Sequence, residues 1–269
     1  MNNELKINIL FGCSIILKYY YIFEQLIINK IFDKIFVSID FNTLNYYRNS
    51  DEKYFNNYII FLKYINTINN IIIENYYNSE YITVDVNSLS KTYNIPIKFK
   101  IYEKLVCDYS YFLFDYITIS TKILNIEYNL YKKFKEELFS KLNKINYKII
   151  ILGERKITDC KEYLIHTTYT IYDDIIENLN NYEDLTISDN NDNNDLEPLL
   201  KTLNILNKSK LNIYMSNGGI SELLSYSSKN ILGLTNKINI LDKNNYLEDI
   251  SNIKIFDNHI DFLDNLKVE

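Results

Sequence analysis

Apolar residues in this chain come in bursts of two lengths, and the bursts alternate. "INILFG", Ile7 to Gly12, is a brief run of Ile, Leu and Phe that ends at a glycine, the pattern of a strand buried on both faces. A longer helical pattern follows, from about Ile15 to Ile31, with apolar residues on more than one face. "KIFVSID", Lys34 to Asp40, is again short and apolar. Strand, helix and strand in this order predict a βαβ unit.

The alternation continues. "FNNYIIFLKYINTIN" predicts a helix, and "NIIIEN" and "YITVDV" predict short strands. "IPIKFKIYE", Ile95 to Glu103, and "FDYITIST", Phe114 to Thr121, predict two more; the strict alternation in this middle stretch leaves antiparallel additions open. "EYNLYKKFKEELFSKLNKIN", Glu127 to Asn146, is the clearest amphipathic helix, with Leu130, Phe134, Leu138 and Leu142 predicted to face the core. "YKIIILGER", Tyr147 to Arg155, then opens a second series. It runs through "EYLIHTTYTIYDDIIENL", "YEDLTIS", a polar stretch "DNNDNNDLEP" and a helix from about Leu196 to Asn207. It ends with "LNIYMS", "GGISELLSYSS", "KNILGL", "NIKIFD" and "HIDFLDNL". Two successive strand–helix series predict an α/β protein of two Rossmann-like domains, 1–125 and 126–269, bridged by the amphipathic helix.

Composition narrows the function classes. The 269 residues carry a formal net charge of -6, which gives no general attraction to nucleic acid or to an anionic membrane. No apolar run approaches the length of a membrane span. The start, "MNNELKINILFG", lacks a basic leader and a small-residue cleavage site, so no signal peptide is expected and a cytoplasmic protein is. Cys13, Cys107 and Cys160 are far apart, and with only His166 and His259 beside them no zinc site is expected. Asn, Ile, Lys and Tyr abound, Trp is absent, and there are 5 Gly and 2 Pro. This is the signature of an AT-rich genome, so "DNNDNND" reads as a solvated loop and not as a metal site.

Against so few glycines, the pair Gly218–Gly219 stands out, between the strand "LNIYMS" and the helical pattern beginning near Ile220. Glycine lets a ligand or another backbone approach closely, and the helix start would turn free N–H groups toward the loop. That combination suits a phosphate. A tight turn capped by Ser216 or Asn217, with Glu222 completing a capping box, is the structural alternative. The spacing is neither GxGxxG nor a P-loop. A second constellation is "GERK", Gly153 to Lys156. Gly153 permits a tight exit from its strand, and Glu154 and Arg155 then lie on the ligand side of the sheet. The guanidinium fork of Arg155 matches a phosphate; an ion pair of Glu154 with Arg155 or Lys156 is the alternative.

The second half, "IIILGER…EY…IYDDII…LT…L…IYMSNGGISELLSYSSKNILGL", resembles the donor-binding half of a GT-B glycosyltransferase, in which two Rossmann-like domains face each other across a cleft. "MSNGGISELLSYSSKNILGL" stands where heptosyltransferase-like members carry a "GNDSG-I-H-L-A…PV-I-L" region. "LGER" followed by "KEY" is also similar to short glycosyltransferase-like proteins of giant DNA viruses, which would place the protein in host cytoplasm. The resemblance covers mainly residues 147 to 235; the N-terminal half matches in architecture only. It implies transfer of a sugar from a nucleotide-sugar donor to a glycan or other acceptor, without a metal or other cofactor. Ser216, Asn217, Gly218, Gly219 and Ser221 would line the donor's diphosphate, with Arg155 and Glu154 nearby. Asn217–Gly218 replaces the acid common in that loop, and the chain is shorter than typical members.

Such chemistry calls for a general base from the N-terminal half. Asp40, at the end of "FVSID", and Asp85, in "VDV", are the candidates, and each also suits a helix cap or turn. Lys122 and the Gly12–Cys13–Ser14 loop are candidate acceptor-side elements. His166 suits a hydrogen-bonded structural role, and Tyr172 and Asp173 a helix start. Two other readings stay open: a nucleotide-sugar epimerase-like enzyme, and a non-catalytic nucleotide- or glycan-binding remnant of the same fold.

Overall fold

A computed structural model describes residues 3–10, 15–40, 65, 68–74, 77–95, 110–124, 127–153, 155, 168–186, 197–216, 230–234 and 252–267. The chain divides into two compact units, Met1–Lys98 with Asn193–Glu197, and Phe99–Asp192 with Pro198–Glu269.

The first unit is built on four parallel strands. β1 (Glu4–Ile9), α1 (Ile15–Ile28) and β2 (Lys34–Ile39) form the expected βαβ unit, with Ile7 opposite Val37. β3 (Ile71–Ile73) adds beside β2, and β4 (Ile82–Val84) adds on the other side of β1, giving the order β3-β2-β1-β4. α2 (Val86–Tyr93) follows β4. α1 is apolar on several sides because several sides are covered: Tyr19, Tyr20, Ile22, Phe23 and Leu26 are all fully buried. The hydroxyl of Tyr19 donates to the Val84 carbonyl at 2.8 Å, which satisfies the polar end of an otherwise apolar side chain. A buried Asn8 in β1 donates to the carbonyls of Asn78 at 2.8 Å and Tyr81 at 3.0 Å, fastening the turn ahead of β4 to the sheet.

The second unit holds a larger sheet. Its elements are β5 (Tyr116–Leu124), α3 (Tyr128–Leu142), β6 (Lys148–Leu152), β7 (Thr168–Thr170), α4 (Tyr172–Asn178) and β8 (Tyr182–Asp184). Then come α5 (Glu197–Lys208), β9 (Asn212–Met215), β10 (Asn230–Leu234), β11 (Asn252–Phe256) and α6 (His259–Asp264). The order is β11-β10-β9-β5-β6-β8, all parallel, with β7 antiparallel to the end of β5. Counting the parallel strands as they occur in the second unit, the sheet reads third, second, first, fourth, fifth, sixth from the β8 edge. That is the doubly wound order of dinucleotide-binding domains. The first sheet carries the same order over its four strands.

One strand sits elsewhere than its place in the sequence suggests. Phe114–Thr121, expected to close the first half, appears as β5 and is the central strand of the second sheet, between β6 and β9. α3 is therefore the crossover from β5 to β6 and not a bridge between halves. A buried parallel strand has the same apolar pattern in either sheet, so periodicity cannot choose its partners.

On α3, Phe134, Leu138 and Leu142 are 1% exposed and join Ile117, Ile119, Ile213 and Phe262 in the core. Leu130, expected on the same stripe, is 41% exposed. Each four-residue step turns about 40° past a full helical turn, so three steps carry Leu130 off the face that Leu142 buries. Between β9 and β10, Gly233 lies opposite Tyr214. A Cβ on Gly233 would stand 2.4 Å from Tyr214 Cζ, so the ring occupies the space a side chain would need. The strand expected over 95–103 and the helices expected over 55–69 and 218–228 lie largely outside the described residues.

Candidate functional site at the strand ends of the second sheet

In a doubly wound sheet, ligands bind beyond the C-terminal ends of the strands, above all where the strand order reverses. In the first sheet that point lies between β1 and β4, and in the second between β5 and β9.

Two candidate acids stand at such ends of the first sheet. Asp40 follows β2 and is 6% exposed; its N–H donates to the Ile9 carbonyl at 3.1 Å, and Thr83 Oγ1 on β4 donates to its Oδ1 at 3.4 Å. Asp85 follows β4 and is the N-cap of α2. Its Oδ1 accepts from the N–H groups of Asn87 at 2.9 Å and Ser88 at 3.1 Å, and its Oδ2 accepts from the Ser88 hydroxyl at 2.5 Å. The Ser88 hydroxyl, and the backbone donors after it, hold the Asp85 carboxyl below the usual range despite partial burial. An engaged carboxylate with a lowered pKa is a weak proton acceptor, so the cap is the role this geometry supports. Gly12 lies outside the described residues, as do Cys13 and His166.

In the second sheet, β5 changes partners near its end. Ser120 still faces Leu152 of β6, while Lys122 faces Thr170 of antiparallel β7. Against β9 the register slips: Ile119 faces Ile213, but Ile123 faces Met215. The extra residues between them form a bulge, a feature that re-aims side chains at a strand end. Lys122 is half-buried there and its N–H donates to Ser120 Oγ at 3.4 Å. Ser216, at the end of β9, is 4% exposed. Asn217, Gly218, Gly219, Ser221 and Glu154 lie outside the described residues.

Arg155 is described, and its surroundings are specific. Gly153 leaves β6 with φ 115°, a conformation that L side chains rarely adopt. Arg155 Nη2 then donates to Asp184 Oδ2 at 2.8 Å, and Nε donates to Thr186 Oγ1 at 2.9 Å. The guanidinium lies 5.2 Å from the centroid of the Tyr172 ring. The Tyr172 hydroxyl donates to the same Asp184 Oδ2 at 2.7 Å. Thr186 completes the cluster, donating to Asp184 Oδ1 from its N–H at 2.9 Å and its hydroxyl at 2.5 Å. Burial pushes the Asp184 carboxyl upward, but the Thr186 and Tyr172 hydrogen bonds and the Arg155 charge outweigh it, and the net shift is downward. Burial and the Asp184 hydrogen bond push the Tyr172 phenol up.

Arg155 thus has an ion pair across the sheet, with Asp184; the ion pair expected of Glu154 with Arg155 or Lys156 involves residues outside the described ones. Tyr172 opens α4, but its side chain goes to Asp184; the helix N-cap position is Ile171, which makes no side-chain capping bond. Asp184 and Thr186 were missed by motif reasoning. The rule that selects Arg155, a polar residue at or just past the end of a strand, also selects them in "YEDLTIS". Among the described residues no cluster of three or more His, Cys, Asp or Glu could hold a metal ion, and no helix is long and apolar enough to cross a membrane.

No protein-family model matches the sequence, and no curated protein matches it. Among solved structures, the chain is similar to the dodecameric iron-containing heptosyltransferase TibC in complex with ADP-D-beta-D-heptose. That match has a TM-score of 0.50 at 12% identity over 87% of this chain. A family 9 glycosyl transferase from Veillonella parvula DSM 2008 is matched over 87% of this chain and 81% of that one, at TM-score 0.44 and 12% identity. The chain spans 58% of the length of the heptosyltransferase. The fold of the chain is thus a Rossmann-like α/β fold of the kind found in a glycosyltransferase.

Proposed function

We propose that the protein is a glycosyltransferase that moves a sugar from a nucleotide-sugar donor to a glycan or other acceptor. In this reading the two units are the two Rossmann-like domains of a GT-B enzyme. The observation that carries it is the strand order of the second sheet. Its switch point lies between β5 and β9, and β9 ends at Met215, just before Ser216 and the glycine-pair segment. The donor's diphosphate sits against Ser216, Asn217, Gly218, Gly219 and Ser221, with Arg155 supplying a fixed cation. The bond from the anomeric carbon to the phosphate oxygen breaks, and the nucleotide leaves with the electron pair. The acceptor oxygen forms the new bond, and its proton passes to a carboxylate of the first unit. Asp40 is that base, because Asp85 is committed to the α2 cap. Backbone N–H groups and Arg155 neutralise the leaving group, so no metal is needed.

A second reading has an observation of its own. One of the two acids available as a base is a helix cap, as expected of an eroded enzyme that still binds a nucleotide. Release of nucleotide from UDP-, GDP-, ADP-, CMP- and dTDP-sugars separates the readings. A transferase releases nucleotide with one donor class, and Asp40→Asn lowers that rate by about a hundredfold or more. Binding of a donor without release identifies the remnant, and neither binding nor release with any donor overturns both.

A further inference from the structure

Asp184 stands at the C-terminal end of a strand in a doubly wound sheet, where a carboxylate can hold a ribose hydroxyl. Here it has no capacity left to do so. A carboxylate offers about four acceptor sites. Arg155 and Tyr172 occupy Oδ2, and the N–H and hydroxyl of Thr186 occupy Oδ1. Its acceptors are therefore satisfied by the protein itself.

Arg155 differs. A guanidinium has five N–H donors. Among the described residues two are used, Nε on Thr186 and Nη2 on Asp184. The ring of Tyr172 covers the guanidinium at 5.2 Å, and the arginine side chain is still 44% exposed. A long side chain on a surface ordinarily loses rotamer freedom when it binds a ligand. This one is held in advance from three directions. The chain of donors has a single sense: Arg155 Nε to Thr186 Oγ1, then Thr186 Oγ1 to Asp184 Oδ1. That fixes Thr186 as acceptor toward arginine and donor toward aspartate.

We propose that Asp184, with Thr186 and Tyr172, is a positioning unit that presents the remaining donors of Arg155 to the phosphoryl oxygens of the donor nucleotide. The proposal rests on the donor-binding reading above and adds residues to it. Asp184 touches no ligand; it acts through Arg155. The pair is formally neutral, so its contribution is directional hydrogen bonding at the strand ends of β6 and β8 and not bulk positive charge.

Calorimetric binding of UDP, GDP, ADP, CDP and dTDP to the full chain, each beside its parent nucleoside, tests this. For whichever diphosphate binds the wild type, Arg155→Ala and Asp184→Asn each weaken binding by about tenfold to a hundredfold. Binding of the nucleoside, which lacks phosphate, changes less than about twofold in the same variants, because no phosphoryl contact is lost. In the double variant the losses do not multiply: once Arg155 is gone, Asp184→Asn has nothing further to act through. Thr186→Val removes the Nε acceptor without changing charge and gives a smaller loss on the diphosphate alone. It serves as the probe if Asp184→Asn fails to fold. Equal affinity of wild type and Asp184→Asn, equal loss on the nucleoside, or multiplying losses in the double variant would overturn the positioning role while leaving the donor reading intact. Absence of binding by any diphosphate to well-folded wild type overturns both.

Discussion

At the end of β4, Asp85 turns its carboxylate onto the N–H groups of the helix that follows it; at the end of β8, Asp184 turns its carboxylate onto side chains from other elements. Both acids accept hydrogen bonds on both oxygens, and both are held below the usual carboxylate range, yet the consequences differ. Asp85 satisfies backbone donors that any helix start leaves open, and the capping is complete within four residues of sequence. Asp184 satisfies an arginine, a tyrosine and a threonine, and thereby orients a cation that keeps donors in reserve. A depressed pKa at a strand end therefore does not distinguish a structural acid from one that serves a site. What distinguishes them is what the partner can still do once the acid is satisfied.

The comparison can be broken by substitution, beginning with the change that strikes the second sheet hardest. Gly233→Val places carbon where the buried Tyr214 ring stands, 2.4 Å from its Cζ, and is expected to cost about 3 kcal/mol in denaturant unfolding. Next is Asp184→Ala, which strands Arg155, Tyr172 and Thr186 together and should cost about 2 kcal/mol. Gly153→Ala keeps every side chain of the cluster but forces a Cβ onto φ 115°; about 1.5 kcal/mol is expected, along with weaker diphosphate binding as Arg155 is displaced.

The smallest effect is at the first sheet. Asp85→Ala loses the cap and about 1 kcal/mol, while Asp85→Asn, which caps as well, loses less than about 0.5 kcal/mol. If Asp85→Asn abolished turnover without loss of stability, Asp85 and not Asp40 would be the base, and the contrast drawn above would fail. The two acids also share a pH signature. Each has a folded pKa below its unfolded value of about 3.9, so each contribution is complete above that pH and fades as pH falls toward the lower folded value. Urea unfolding of wild type against Asp85→Asn and Asp184→Asn from pH 5 to pH 2 should show a shallower acid decline in each variant.

Much of this was legible in the residues. The short apolar bursts at Ile7, Lys34 and Tyr147 marked strands because strands covered on both faces need no polar alternation. Gly153 was legible as a special exit, and its positive φ supplies the reason. The sheet to which β5 belongs was not legible, because no local pattern encodes a partner strand. The Arg155–Asp184 pair was half legible: Arg155 comes just after buried β6 and Asp184 closes half-buried β8, but 29 positions separate them, and only the parallel register of β6 with β8 brings their ends side by side. Leu130 was misassigned because four-residue spacing alone drifts around a helix.

The most direct test of the central claim, that the second unit is a nucleotide-diphosphate donor site, is thermal melting of the full chain against UDP-, GDP-, ADP-, CMP- and dTDP-linked sugars. One nucleotide class, present at about 100 times its dissociation constant, is expected to stabilise the protein by about 2.7 kcal/mol and raise Tm by several degrees. Gly219→Val is expected to abolish that rise. A cooperative melt unmoved by every nucleotide would contradict the account.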